Sequence, residues 1–369
     1  MHRIWPSAVV LVGLAATLAF PVLRLGVTPD LVLGVLVPGL VFEAAFALEL
    51  RDLRSLVGPL AALAVPGVLI SAGAVTLVLT IGTGMPPELA FVLGAITAAT
   101  DPVAVVATMK RLAVPRRLRT LIEGESLLND GTGLVLFVLA LEAASKGLSV
   151  ADGVVRFVAI LTASVALGAA AGWVAGRAMN AASGRLARLA ISVILAYGAY
   201  QAADLLGLSG IVATVVGAVI LGSRMRRLGG GVNTAELDAF WTRAAVVLTV
   251  VTLLAIGFAI DVTALPAAAG AIAAGTAAVL VARAVMVYLP LALRRAAGHA
   301  EIPPGWAHVL FWSGLRGAIA LAAALSLPQA LPQRTQIQQI AFGIVLVTLV
   351  VQGGLAPFVI GRALRGERR

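Results

Sequence analysis

The chain has 369 residues, of which 60% are hydrophobic and 12% are charged, and its formal net charge is +10. Soluble domains are roughly half apolar and a quarter charged, so this composition excludes a sizeable soluble domain and indicates an integral membrane protein. The chain has no cysteine, which excludes disulfides and thiolate metal sites, and its three scattered histidines give no metal-ligand spacing (His2, His299 and His308).

Apolar runs of about 20 residues or more, enough to cross a bilayer, follow one another along the whole chain. Hydropathy and helix-breaking residues predict twelve spans: 5–23, 31–48, 56–82, 88–110, 117–143, 150–178, 186–206, 208–223, 237–261, 264–293, 305–327 and 336–361. The longer ones predict tilt or an internal break. The first run is similar to a signal peptide, but because no soluble domain follows it we interpret it as a retained span. The predicted fold class is an all-α polytopic membrane protein.

The distribution of basic residues tests this topology, because cytoplasmic loops collect Lys and Arg. With alternating loops, twenty of the 27 Lys and Arg residues fall on one side. Three lie inside spans, namely Arg243, Arg283 and Arg316. The four on the other side are Arg24, Lys146, Arg156 and Arg334. We therefore expect both termini to be cytoplasmic, and we attribute the positive charge to topology rather than to a nucleic-acid-binding surface.

Charged residues inside the spans are the first candidates for function. A carboxylate at the centre of a span costs about 2.5–3.5 kcal/mol, and such residues usually face the protein interior or a water-filled path. The candidates are Glu43, Asp101, Glu125, Asp130, Asp204, Arg243, Arg283 and Arg316.

The stretch GAITAATDPVAVVATMKRL, residues 94–112, has Asp101 within an apolar run and Pro102 directly after it. Proline disrupts the preceding helical turn and pushes the residue before it away from helical angles. We therefore predict a helix break near Thr100 and Asp101. Unwound backbone inside a membrane is tolerated only where it is buried in protein or lines a cavity. Freed carbonyls, the hydroxyl and the carboxylate would suit a small cation such as sodium; the alternative is a simple proline kink with a capping aspartate.

The stretch LIEGESLLNDGTGLVLF, residues 121–137, carries two carboxylates, an amide and a hydroxyl in an otherwise apolar segment. Read as a helix, its i, i+4 pairs lie on adjacent stripes of one face. These pairs are Glu125 with Asn129 and Ser126 with Asp130. The alternative is a loop turn, which Asn-Asp-Gly favours, although the apolar run continues unbroken over 134–141.

The stretch FWSGLRGAIALAAALSL, residues 311–327, places Arg316 between Gly314 and Gly317 in an apolar run. Glycines loosen a helix and allow other backbone to approach closely. A buried guanidinium needs a carboxylate partner, and that pairing can be structural, functional or both. The candidate partners are Glu125, Asp101 and Asp130.

Three motifs in this order, ATDPVAV, EGESLLND and SGLRGAIAL, resemble the monovalent cation/proton antiporter superfamily, in its sodium/proton exchanger branch. Weaker similarities fill the gaps between them, so the resemblance covers nearly the whole chain. They are PGLVFEAAF at 38–46, AYQAADLLGLSGIVATVVGAVILG ending at 222, ARAVMVYLP at 282–290 and VQGGLAP at 351–357.

The resemblance implies an inverted-repeat antiporter fold of about 12 transmembrane helices in which two broken helices cross. The breaks would lie at Pro102 and at Gly314–Gly317. Our span count agrees, because spans two to five and nine to twelve are equal blocks whose third members are broken. The resemblance also implies a core that moves against a dimerising scaffold. We assign 53–148 and 263–369 to the core and 1–52 and 149–262 to the scaffold.

The resemblance further implies roles for individual residues. Asp130 would be the main carrier of the cation and of the proton, and Glu125 would pair with Arg316. Asn129 is at the position where electrogenic relatives carry a second aspartate, which implies electroneutral one-for-one exchange. Further oxygens of the cation site would come from Asp101, Thr100 and Ser126.

The implied function is secondary active exchange of a monovalent cation (sodium, or else lithium or potassium) for a proton across the cell membrane, by a homodimer and without a cofactor. One carboxylate can hold a proton or a cation but not both, which couples the two fluxes if only the neutralised site crosses. The alternative is a non-transporting sensor or a cation channel on the same fold, although the intact set Thr100, Asp101, Asn129 and Asp130 argues against a degenerate sensor. No nucleophile–base pair or metal cluster points to an enzyme.

The chain also departs from the family pattern. Family members commonly have thirteen spans, whereas this chain begins at what resembles the second. Either the first helix is lost or the start codon is misplaced, and the inside position of Arg3 fits a twelve-span topology. Asp204 is at a position where glutamate is usual. Since no long tail follows the last span, we expect no tail-mediated regulation.

Overall fold

The computed structural model describes residues 6–19, 27–101, 109, 114–228, 234–296 and 303–366. All regular secondary structure within these residues is helical. Seven helices are long and apolar enough to cross a membrane by length and composition, and Leu31–Ala47 and Pro87–Ala98 are shorter apolar helices. The predicted all-α polytopic fold is therefore confirmed.

The helices follow the predicted spans in order along the chain. The first six are α1 Pro6–Ala19, α2 Leu31–Ala47, α3 Leu50–Ser55, α4 Val57–Thr83, α5 Pro87–Ala98 and α6 Arg116–Lys146. The next five are α7 Val150–Ala181, α8 Arg185–Leu205, α9 Gly210–Leu228, α10 Thr234–Ala259 and α11 Ala269–Ala296. The last four are α12 Pro304–Trp312, α13 Ala318–Leu325, α14 Arg334–Val347 and α15 Gly353–Gly366, with a π-helical turn at Thr348–Gln352 between the final two.

The first predicted break lies at the end of α5. The helix ends at Ala98, and Ala99 is extended with ψ 141°, so the backbone leaves the helix directly before Thr100 and Asp101. This agrees with the predicted position of the break. Pro102, to which the break was attributed, lies outside the described residues.

The second break separates α12 from α13 over residues 313–317. Its unwound backbone is held by the π-helical turn, because the Arg316 N–H donates to Thr348 Oγ1 at 3.3 Å. Turns of this type often occur at functional sites. The glycine-flanked arginine predicted from sequence therefore lies in unwound backbone.

The two breaks meet at one point in the protein. The Asp101 N–H donates to the Leu315 carbonyl at 2.8 Å, and Asp101 Oδ2 lies 3.4 Å from the Ala318 nitrogen at the start of α13. Gly317 is needed for this approach, since a Cβ there would overlap the Asp101 carboxylate. The predicted crossing of two broken helices is confirmed by these contacts.

Buried apolar side chains form two clusters, and the crossing lies where they meet. One cluster is built mainly from α4, α5, α6, α11 and the helices that follow α11. The other is built mainly from α2, α8 and α9. The second cluster also includes five residues from the first break, α6 and α13, namely Ala99, Leu127, Ala318, Ile319 and Ala322.

Candidate functional site

Asp130 lies near the middle of α6, whose 31 residues run from Arg116 to Lys146 without a break. The loop turn considered for Asn-Asp-Gly is therefore wrong: the helix continues because apolar residues on both sides of these three pack against neighbouring helices. Asp130 is buried, and it lines the same cavity as Ala99 and Thr100. The carboxylate-bearing residue of α6 thus lies beside the unwound end of α5.

Asp130 and the first break share a cavity of about 60 Å³. It is lined by Thr100, Asp101 and Asp130 and by four residues of α2, namely Val37, Leu40, Val41 and Ala44. Ala99, Leu127 and residues 317–320, at the start of α13, complete the lining. Two carboxylates and a hydroxyl therefore face one small space between α2 and the crossing, which is a suitable oxygen environment for a small cation.

Ser126 and Asn129 lie behind this cavity. Neither is among the described residues that line it, and both are fully buried. Thr100 Oγ1 donates to Ser126 Oγ at 3.4 Å, so Ser126 contacts a residue that lines the cavity. Of the five residues predicted to bind the cation or the proton, the structure brings three to the cavity and holds two behind it.

Glu125 forms an ion pair with Arg283 of α11. The Arg283 nitrogens Nη1 and Nη2 lie 2.5 and 2.8 Å from the two carboxylate oxygens of Glu125, and both side chains are almost completely buried. Asn129 Nδ2 donates to Glu125 Oε1 at 2.5 Å. A bidentate pair of this kind combines geometric specificity with strong attraction. Gly314 leaves room for it, because a Cβ there would lie 2.8 Å from Arg283 Nε.

The predicted pairing of Glu125 with Arg316 is therefore wrong. Arg316 is equally buried, but its Nε donates to the Thr97 carbonyl at 2.8 Å and its Nη1 donates to the Gly314 carbonyl. The reason is its place in the unwound segment, from which the guanidinium reaches the end of α5. The in-span position of Arg283 was a sequence signal for a buried cation, but it did not identify the partner.

The other charged residues predicted inside spans are not among the described residues that line the cavity. Asp204 of α8 and Arg243 of α10 are exposed, and Glu43 of α2 is half-buried. Exposed here means open to the surroundings of a single chain, which in a membrane protein include lipid. His308, on α12, is also exposed, and its Nδ1 is 2.8 Å from the Tyr288 hydroxyl oxygen.

Comparisons with known proteins agree with one another. The family described as "Sodium/hydrogen exchanger, transmembrane" matches residues 4–361. The chain is 35% identical to the low-affinity Na(+)/H(+) antiporter NhaS1 of Synechocystis sp., over 98% of this chain and 71% of that protein. It is 33% identical to the Na(+)/H(+) antiporter ApNhaP of Aphanothece halophytica, over 98% and 71%. The structure of the sodium proton antiporter MjNhaP1 from Methanocaldococcus jannaschii superimposes with a TM-score of 0.76 at 16% identity, over 96% of this chain and 91% of that one.

Proposed function

The chain belongs to the sodium/hydrogen exchanger family, and on that premise we propose that it is a secondary active antiporter that exchanges sodium ions for protons across the cell membrane. Lithium and potassium are the other cations that a site of this kind can carry. One observation supports the proposal above all: Asp130, Asp101 and Thr100 line one cavity at the crossing of two broken helices. We propose transport rather than enzymatic catalysis for this site.

In this proposal Asp130 carries the cation and the proton in turn. A cation in the cavity would meet the carboxylate of Asp130, the carboxylate of Asp101 and the hydroxyl of Thr100. A proton on Asp130 removes the charge that attracts the cation, so the two ligands compete. Moving an uncompensated charge through an apolar barrier is costly, whereas the site neutralised by either ligand can cross. Competition at one carboxylate then couples the two fluxes.

In this proposal Ser126 does not contact the cation directly. The Thr100 hydroxyl donates to Ser126 Oγ at 3.4 Å, so we propose that this bond turns the Thr100 hydrogen away from the cation and leaves the oxygen lone pairs for it. Asp101 has a double role: it faces the cavity, and its carboxylate accepts a hydrogen bond from Ala318 at the start of α13. That bond supports the idea that Asp101 fixes the geometry of the cation site as well as contributing charge.

We propose that exchange is electroneutral, with one proton for one cation. Asn129 is neutral, and Glu125 is held at both carboxylate oxygens by Arg283. Asp130 is then the titrating carboxylate of α6 at the cavity. A cycle that neutralises one carboxylate, by a cation in one direction and by a proton in the other, moves no net charge.

The moving part in this proposal is the core, residues 53–148 and 263–369, and the fixed part is the scaffold, residues 1–52 and 149–262. The lining of the cavity supports this division, because α2 of the scaffold and the crossing of the core both contribute to it. Sliding of the core past α2 would expose the cavity to each side in turn. We also propose a homodimer with both termini in the cytoplasm, on the basis of the family resemblance and the loop charges.

Flux in proteoliposomes tests the proposed function. Purified protein is reconstituted with a trapped pH indicator, and sodium, lithium or potassium chloride is added outside in separate runs. We expect proton movement that depends on the cation and increases with its concentration. Correctly folded protein that moves no protons in response to any of the three cations would contradict the proposal.

A further inference from the structure

A second, smaller cavity lies on the other side of Thr100 from the cation cavity. It is surrounded by helices of the core: Ser71 comes from α4, Asn129 from α6 and Arg283 from α11. Thr100 lines both cavities. The small cavity is thus bounded by both the Glu125–Arg283 network and the end of α5.

Three of its lining residues carry a buried polar atom without a partner. Among the described residues, no hydrogen-bond partner reaches Ser71 Oγ, Asn129 Oδ1 or Arg283 Nε. These side chains are 4%, 1% and 2% exposed. Buried polar groups are nearly always hydrogen-bonded to protein or to ordered water. Three orphaned atoms on residues that line one cavity therefore point to a shared ligand within it.

We propose that one water molecule is bound in this cavity as a fixed part of the structure and bridges Ser71, Asn129 and Arg283. The space that the centre of a water molecule can reach is about 10 Å³, close to the ~10–15 Å³ that one water needs. One water molecule can also satisfy all three unpartnered atoms. Arg283 Nε–H donates to the water oxygen, and the two water hydrogens go to Asn129 Oδ1 and Ser71 Oγ.

The charges around the cavity favour a neutral ligand over an ion. Arg283 and Arg316 both line it, and two guanidinium groups repel a cation. An anion would meet the acceptor oxygen of Asn129 and the nearby carboxylate of Glu125, and chloride is larger than water. A molecule that both donates and accepts satisfies all three orphaned atoms.

The water makes Ser71 a positioning residue for Asn129. The bound water would hold the Asn129 amide in the orientation in which Nδ2 donates to Glu125 Oε1 at 2.5 Å. It would also tie α4 to the ion pair between α6 and α11. This inference concerns the folded geometry alone, so it stands or falls independently of the proposed exchange reaction.

Ser71→Ala tests the site through stability, with Thr252→Val as the matched control. Thr252 Oγ1 is also buried and without a partner among the described residues, but Thr252 does not line the small cavity. Removing an orphaned hydroxyl should be neutral or stabilising, whereas removing a hydroxyl bound to water should destabilise. We expect Ser71→Ala to lower the apparent unfolding midpoint by about 2–4 °C and Thr252→Val to leave it unchanged or raise it. Equal behaviour of the two variants would overturn the proposal.

A cryo-electron-microscopy map that resolves ordered waters gives a second readout. We expect a peak within hydrogen-bonding distance of Ser71 Oγ, Asn129 Oδ1 and Arg283 Nε in the unmodified protein. Ser71→Val, whose methyl groups fill the space, should lack it. A well-resolved map with nothing in the cavity, or with these atoms bonded to other protein groups, would overturn the proposal.

Discussion

The side chains of Asp101 and Arg316 each bond to a helix end at the opposite break. The Asp101 carboxylate accepts from the Ala318 N–H at the start of α13, which follows Arg316. The Arg316 guanidinium donates to the Thr97 carbonyl at the end of α5, which precedes Asp101. Helix N-termini carry partial positive charge and C-termini partial negative charge, and a matched side chain stabilises each end by about 0.3–1 kcal/mol, or up to ~2 in partly buried sites. The two residues therefore stabilise both breaks reciprocally.

The first prediction concerns the partner of Glu125. In a double-mutant cycle, Glu125→Gln should couple more strongly to Arg283→Ala than to Arg316→Ala. The reason is that Arg283→Ala strands a buried carboxylate, at about 3–5 kcal/mol for a broken buried pair, and Glu125→Gln removes the stranded charge. Unfolding midpoints of the three single and two double variants measure the coupling. A larger coupling energy for Arg316 would contradict the pairing seen here.

The second prediction is that Asp130→Asn abolishes exchange while the protein still folds and inserts. Asparagine preserves the shape of the side chain but cannot release a proton to make way for a cation. The matched control is Asp204→Asn, which makes the same change at an exposed carboxylate of α8 and should retain exchange. Sodium-dependent proton flux in proteoliposomes is the measurement, and retained flux in Asp130→Asn would remove Asp130 from the carrier role.

Asp101→Asn should weaken the apparent cation affinity by about tenfold or more, which corresponds to ~1.4 kcal/mol of binding free energy. The amide oxygen can still accept the hydrogen bond from Ala318, so the crossing should persist while one negative charge is lost from the cavity. The measurement is exchange rate against sodium concentration. If both affinity and maximal rate stay near those of the unmodified protein, Asp101 is a structural cap and not part of the cation site.

Gly317→Ala tests the close approach at the crossing. The added Cβ would overlap the Asp101 carboxylate, whereas a Cβ at Gly73 of α4 meets no heavy atom within 4 Å. We expect Gly317→Ala to lower both the unfolding midpoint and the exchange rate. Gly73→Ala should be neutral or slightly stabilising, because alanine is the better helix former. If the two variants have the same unfolding midpoint and exchange rate, the crossing can widen without loss of stability or activity.

Local sequence patterns predicted the helices and breaks well, because proline, glycine and charge inside apolar runs act on their own segment. The breaks at Asp101 and Arg316 are of this kind. Which of two buried arginines reaches Glu125 is a different question. The answer depends on how α11 and the unwound segment pack around α6, and no spacing along the chain encodes that. The small cavity was missed for the same reason, since Ser71 is one serine in an apolar span and serine in a helix commonly bonds to its own backbone.

The last prediction concerns the charge moved in each cycle. Glu125 has both oxygens engaged by Arg283 and one also by Asn129, which leaves Asp130 as the carboxylate of α6 that lines the cation cavity. Exchange by the unmodified protein should then be insensitive to a potassium–valinomycin potential imposed on the proteoliposomes. Asn129→Asp adds a second carboxylate beside Arg283, and a second proton carried there would make the rate depend on voltage. The variant must first be shown to unfold at a comparable temperature, because Asn129 also bonds to Glu125. If the rate of the unmodified protein follows the imposed voltage, the electroneutral assignment drawn from Asn129 is wrong.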